Sequence, residues 1–132
     1  MPTINRIDHI AIVVKDLNRA RAAYEAILGA KVGLEEESPD MGCKSAFLNF
    51  GELVIELIQP LGPGPLAEHL AARGQGLHHI AYRVRHLEKV FSEMRRRGVR
   101  ALDRELRREG ETLAMFLDPE DTGGVLTELV QR

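Results

Sequence analysis

The sequence predicts an α+β fold in which one βαβββ unit is used twice, and two observations carry that prediction. Asp8-His9-Ile10-Ala11-Ile12-Val13-Val14-Lys15-Asp16-Leu17 returns as His78-His79-Ile80-Ala81-Tyr82-Arg83-Val84-Arg85-His86-Leu87, with five of ten positions identical and 70 positions between His9 and His79. The halves also end alike, because Val54-Ile55-Glu56-Leu57-Ile58-Gln59 is matched by Leu126-Thr127-Glu128-Leu129-Val130-Gln131, with 72 positions between the glutamates. A period of this length in only two copies is too long for a solenoid and reads as duplication of a supersecondary unit.

The elements follow in order. Ile7 to Val14 is apolar and β-branched enough for a buried strand, and Asp16 stands where it can cap a helix. Leu17, Ala20, Tyr24, Ile27 and Leu28 recur at helical spacing as a core stripe, and Gly29 lies where a left-handed cap ends the helix. Three strands are predicted next, over Lys31 to Glu36, Lys44 to Phe50 and Leu53 to Gln59, with Gly51-Glu52 as a tight hairpin. Leu61-Gly62-Pro63-Gly64-Pro65 is a turn-rich connector, and Leu66 to Arg73 a short helix closed by Gly74. In the second half Leu87, Val90, Phe91 and Met94 form the matching stripe, Gly98 ends it, and Ala114 to Leu117 and Val125 to Gln131 supply late strands. Leu106 to Glu111 is charged and reads as a flexible loop near the site.

At 132 residues the chain fits a single domain, with module one over 4–60, a connector and short helix over 61–75, and module two over 76–132. A net charge of −2, with no basic stretch beyond Arg95-Arg96-Arg97, gives no electrostatic footprint for nucleic acid. No stretch approaches a membrane span, so no membrane partner is expected and the expected location is the cytoplasm. The single cysteine, Cys43, excludes an internal disulfide framework, suits a reducing compartment and reads as structural filler.

The chemistry rests on four residues. An ionisable side chain among buried aliphatics is costly unless it has a partner, and Glu56 and Glu128 both sit in such runs. His9 and His79 occupy equivalent places on the opening strands. Alone, each is more often a hydrogen-bonded core residue than a ligand. As two matched pairs, packed around a pseudo-twofold axis, they make a ligand set for one divalent metal, with open positions for water or substrate oxygens. Imidazole with carboxylate suits manganese, iron, cobalt, nickel or zinc, without choosing among them. His69, His78 and His86 keep a structural reading, with His78 turned away from its strand neighbour His79.

Ile7-Asp8-His9-Ile10-Ala11, Gly76-Leu77-His78-His79-Ile80-Ala81 and Gly123-Gly124-Val125-Leu126-Thr127-Glu128-Leu129 resemble the signatures of the methylmalonyl-CoA epimerases. That family belongs to the vicinal-oxygen-chelate superfamily with glyoxalase I, ring-cleaving dioxygenases and antibiotic-resistance proteins. The resemblance implies a glyoxalase-like fold of paired βαβββ modules forming a cup-shaped sheet. It also implies a metal held by His9, Glu56, His79 and Glu128, an acyl-CoA substrate, inversion at the carbon between thioester and carboxylate, and a homodimer. Glu128 is the candidate proton carrier, through its free carboxylate oxygen. The place where some relatives carry a second catalytic glutamate is Ser45, flanked by Lys44, and a hydroxyl is a poor base unless activated. Arg108-Glu109-Gly110-Glu111-Thr112 and Asp118-Pro119-Glu120 replace the glycine-rich loop and His-Pro-Lys segment of many relatives, which bears on substrate identity. A glyoxalase I-like lyase or isomerase, and a ligand-binding protein without catalysis, are the alternative functions. Whether Arg107 and Arg108 meet a CoA phosphate or solvent is left open.

Overall fold

The computed structural model describes residues 2–39 and 41–132. The chain divides into two compact units, one of His9–His78 and the other of the residues up to Asp8 together with His79–Arg132. Each runs through the predicted βαβββ order.

The unit His9–His78 begins within β1 (Ile4–Val13) and continues through α1 (Leu17–Leu28), β2 (Lys31–Ser38), β3 (Cys43–Phe50), β4 (Leu53–Pro60) and α2 (Pro65–Arg73). Its strand order is β2-β3-β4-β1, with β1 parallel to β4 and the remaining pairs antiparallel. Asp16 caps α1 by accepting a hydrogen bond from the Arg19 amide at 3.0 Å, and Gly29 closes the helix at φ 64°. On one face of the sheet, Leu17 and the half-buried Ala20 and Tyr24 pack over Ala46, Leu48 and Leu57. On the other face Leu66 of α2 packs against Ala11, Cys43 and Ile58, so the single thiol is a small buried apolar group.

The second unit begins in β5 (Gly76–Val84) and continues through α3 (Leu87–Arg96), β6 (Arg107–Glu109), β7 (Thr112–Leu117), a 3-10 turn (Pro119–Thr122) and β8 (Thr127–Gln131). Its order, β5-β8-β7-β6, repeats that of β1-β4-β3-β2, again with the first pair parallel. Leu87, Val90, Phe91 and Met94 of α3 are all buried against Leu113, Met115, Leu117 and Leu129.

The recurring glutamine has a repeated role. Gln59 Oε1 accepts from the Leu17 amide at 2.8 Å, and Gln131 Oε1 accepts from the Leu87 amide at 2.7 Å. Each terminal strand thereby satisfies an amide at the start of its unit's helix, one of the groups a helix cannot pair internally.

Two expectations are corrected. Leu106 to Glu111 is not a flexible loop throughout, because Arg107–Glu109 forms β6 and pairs with β7. A run of charged side chains on an edge strand carries no apolar signal, and such charge is how exposed edges are kept from pairing further. The apolar stripe of α1 is not core along its whole length, since Ile27 is 78% and Leu28 59% exposed. The core cluster follows the helix as far as Tyr24 and resumes at Ala30, beyond the cap, so the last turn lies outside the core.

Candidate metal centre

Strand register explains why each histidine meets its glutamate. In the unit His9–His78, Glu56 lies beside Ala11 on β1 and opposite Phe47 on β3, so these three share the sheet face not covered by α1. His9, two residues before Ala11, shares that face as well. In the other unit the register repeats, with Glu128 beside Ala81 on β5 and opposite Phe116 on β7. Both alanines are fully buried, and a methyl side chain leaves room above it for an imidazole and a carboxylate to approach.

The resulting distances are nearly equal. His9 Nε2 lies 3.4 Å from Glu56 Oε1, and His79 Nε2 lies 3.3 Å from Glu128 Oε1. Hydrogen bonds between such atoms usually run about 2.7–3.2 Å. Adjacent ligands of a divalent cation, at bond lengths of about 2.0–2.2 Å, stand about 2.8–3.1 Å apart in octahedral and about 3.3–3.6 Å apart in tetrahedral geometry. The donors of each pair therefore stand at the spacing of tetrahedral neighbours and need to close by only a few tenths of an ångström for an octahedral sphere. His9, His79 and Glu128 are all buried, and removing the Glu128 carboxylate from water costs several kcal/mol, which its ion pair with Arg107 offsets in part and a bound cation would offset further.

Around His79 and Glu128 stand residues that sequence reasoning did not assign. Arg107 donates from Nη2 to Glu128 Oε2 at 2.6 Å, and its guanidinium carbon lies 4.5 Å from the centre of the Phe116 ring. Phe116 meets the His79 imidazole edge to face at 5.1 Å. The oxygen of Glu128 expected to be free is thus occupied by Arg107, and Arg108 pairs with Glu88 at 2.7 Å.

Of the two weaker candidates, Ser45 is buried and opposite Ile58, on the face of Glu56. Lys44, opposite Gln59, lies on the α1 face and away from the carboxylate. Asp8, next to His9 in sequence, has a different task. Only 3% exposed, it accepts hydrogen bonds from Arg83 Nε at 2.9 Å, from Arg132 Nε at 2.9 Å and from Arg132 Nη2 at 2.8 Å. No local signal points to that clamp, because Arg132 is 124 residues away. His78 makes an edge-to-face contact with His69 at 4.8 Å. Burial first, and the Arg73 cation second, hold the His69 imidazole below its ordinary pKa.

Comparison with known proteins gives the family. Residues 8–116 match the Glyoxalase/Bleomycin resistance protein/Dioxygenase superfamily. The methylmalonyl-CoA epimerase of Bos taurus, named as mitochondrial, is 36% identical over 132 residues, covering 97% of this chain and 75% of that protein. The ethylmalonyl-CoA/methylmalonyl-CoA epimerase of Cereibacter sphaeroides is 37% identical over 133 residues, covering 97% of this chain and 98% of that one. The Streptomyces coelicolor methylmalonyl-CoA epimerase, solved in complex with 2-nitronate-propionyl-CoA, superposes with a TM-score of 0.88 at 33% identity, covering 98% of both chains. The chain belongs to this superfamily and, within it, to the methylmalonyl-CoA epimerase family. Among the described residues no helix is long and apolar enough to cross a membrane.

Proposed function

We propose that the chain epimerises methylmalonyl-CoA or a related 2-substituted malonyl-CoA, with one divalent cation, of cobalt, manganese, nickel, zinc or iron, held jointly by His9, Glu56, His79 and Glu128. The observation that carries the reading is the repeated His–Glu pair, spaced in both units as adjacent ligands would be. The names of the relatives support the substrate, and the duplicated pairs support a shared site. Two carboxylates also match the charge of one divalent ion. Bound there, the cation supplies Lewis-acid stabilisation of negative charge developing on substrate oxygens, a role typically worth several kcal/mol.

The chain's own residues do the rest. His9 and His79 present Nε2 to the cation. Inversion needs a proton removed from one side of the α-carbon and returned on the other, and each positioned acid or base contributes roughly 10²–10⁴-fold. Glu128 is the first proton carrier, and it serves through Oε2 only when Arg107 releases that oxygen. Ser45, on the face of Glu56, is a polar contact for substrate, while Lys44 lies on the opposite face. A cytoplasmic homodimer belongs to the same reading.

The test is to load the purified protein with each metal, measure stoichiometry, and follow exchange of the α-proton of methylmalonyl-CoA in deuterated water. One cation per chain with exchange is expected. Two cations per chain contradict the shared site, absence of exchange with every metal eliminates the epimerase, and turnover of a hemithioacetal in its place transfers the reading to a glyoxalase-type reaction.

A further inference from the structure

Arg107 is related by strand register to a residue of opposite charge. Ala114 on β7 lies between Arg107 on β6 and Val130 on β8. In the other unit Ser45 on β3 lies between Glu36 on β2 and Ile58 on β4. Duplication therefore aligns Arg107 with Glu36, and the guanidinium is a property of one half only. Asp103 Oδ1 lies 3.5 Å from Arg107 Nε, near enough to balance its charge. That Nε is nevertheless buried without a well-aimed hydrogen bond, so the ion pair constrains the arginine loosely on that side. Asp103 is itself held through Oδ2, which accepts from the Phe116 amide at 2.6 Å. The Phe116 ring lies against both Arg107 and His79.

We propose that Arg107 is a positioning residue for the His79–Glu128 pair. By holding Oε2 it turns Oε1 toward His79 and makes Glu128 a one-oxygen ligand, and by lying on Phe116 it keeps that ring against the imidazole. One side chain thus orients two donors of the proposed cation site. Partners of this kind are worth about 10–100-fold in metal affinity. Removing a cation from beside the site acts in the opposite direction, by relieving repulsion, but Asp103 already offsets part of the Arg107 charge, so loss of orientation dominates.

The inference rests on the proposed cation site and is tested through binding, by titrating Co²⁺ and Mn²⁺ against a competing chelator and recording the visible spectrum of the Co²⁺ form. Arg107→Met, which keeps an apolar stem over Phe116, should bind about 10–100-fold more weakly and show an altered Co²⁺ spectrum. Arg107→Lys should recover only part of the loss, because a point charge lacks the planar fork. Arg108→Met, whose arginine pairs elsewhere, should bind as the parent does. Asp103→Asn retains the acceptor for the Phe116 amide and should weaken binding in the same direction by less, and it decides the matter if Arg107→Met does not fold. Parent-like affinity with an unchanged spectrum, or tighter binding, in Arg107→Met overturns the proposal, as does parent-like affinity in Asp103→Asn should that variant stand alone. A parent protein that binds the cation without α-proton exchange removes the epimerase reading and leaves the positioning role standing. A parent protein that binds no cation removes both.

Discussion

The two units share an order of strands, a strand register and a His–Glu pair, yet they are not equally built. The α3 helix buries Leu87, Val90, Phe91 and Met94, whereas α1 buries Leu17 alone. The Glu128 side chain is 8% exposed and held by Arg107, while that of Glu56 is 16% exposed. Duplication thus preserved the donors and left the two carboxylates unequally exposed, with the Arg107 ion pair on the more buried side. A tightly supported pair can hold a cation in place, and a more open one leaves room for a substrate to reach it.

Substitutions of the donors should give the largest effects and should be unequal. His79→Ala and Glu128→Gln are expected to lower metal affinity about 100-fold, and Glu56→Gln about 10-fold, with the greater exposure of the Glu56 side chain setting the difference. Calorimetric titration measures this. Equal losses break the asymmetry, and stoichiometric metal retained in both Glu56→Gln and His79→Ala refutes the ligand assignment itself.

The cores give the next contrast. Met94→Ala and Leu17→Ala each remove a buried side chain and should cost about 2–5 kcal/mol, whereas Ile27→Ala at the exposed end of α1 should stay within about 0.5 kcal/mol. Urea unfolding separates these, and a costly Ile27→Ala means that the last turn of α1 packs against something. Smaller still are the repeated helix-start bonds. Gln59→Ala and Gln131→Ala should each cost about 1 kcal/mol, and by similar amounts if the two bonds are equivalent.

The smallest effect belongs to His69. Its pKa in the folded chain lies below the ordinary 6.5, so its contribution to stability is complete above that pH and is lost as pH falls from there through the folded value. His69→Asn should flatten the decline of melting temperature below pH 6.5, and an unchanged decline assigns it to other groups.

How much of this was legible depends on range. The duplication, the helix caps at Asp16 and Gly29, and most strands show in local pattern, because capping and alternation are properties of neighbouring residues. So does the fact that His9 and Glu56, or His79 and Glu128, are out of place among aliphatics. β6 escaped notice because three charged residues at a sheet edge show no apolar alternation. Gln59 and Gln131 were visible as a recurrence whose purpose was not, since each bond joins residues more than 40 positions apart.

The sequence by itself determined that an imidazole and a carboxylate occur twice in corresponding places, and strand periodicity put them on corresponding faces. Tertiary structure alone decided the 3.3–3.4 Å spacing of the donors, the hold of Arg107 on the second oxygen of Glu128 and the burial of Asp8 between two arginines. The physical reason is that periodicity assigns a side chain to a face of its own strand. Which distant side chain it meets there depends on the register between strands.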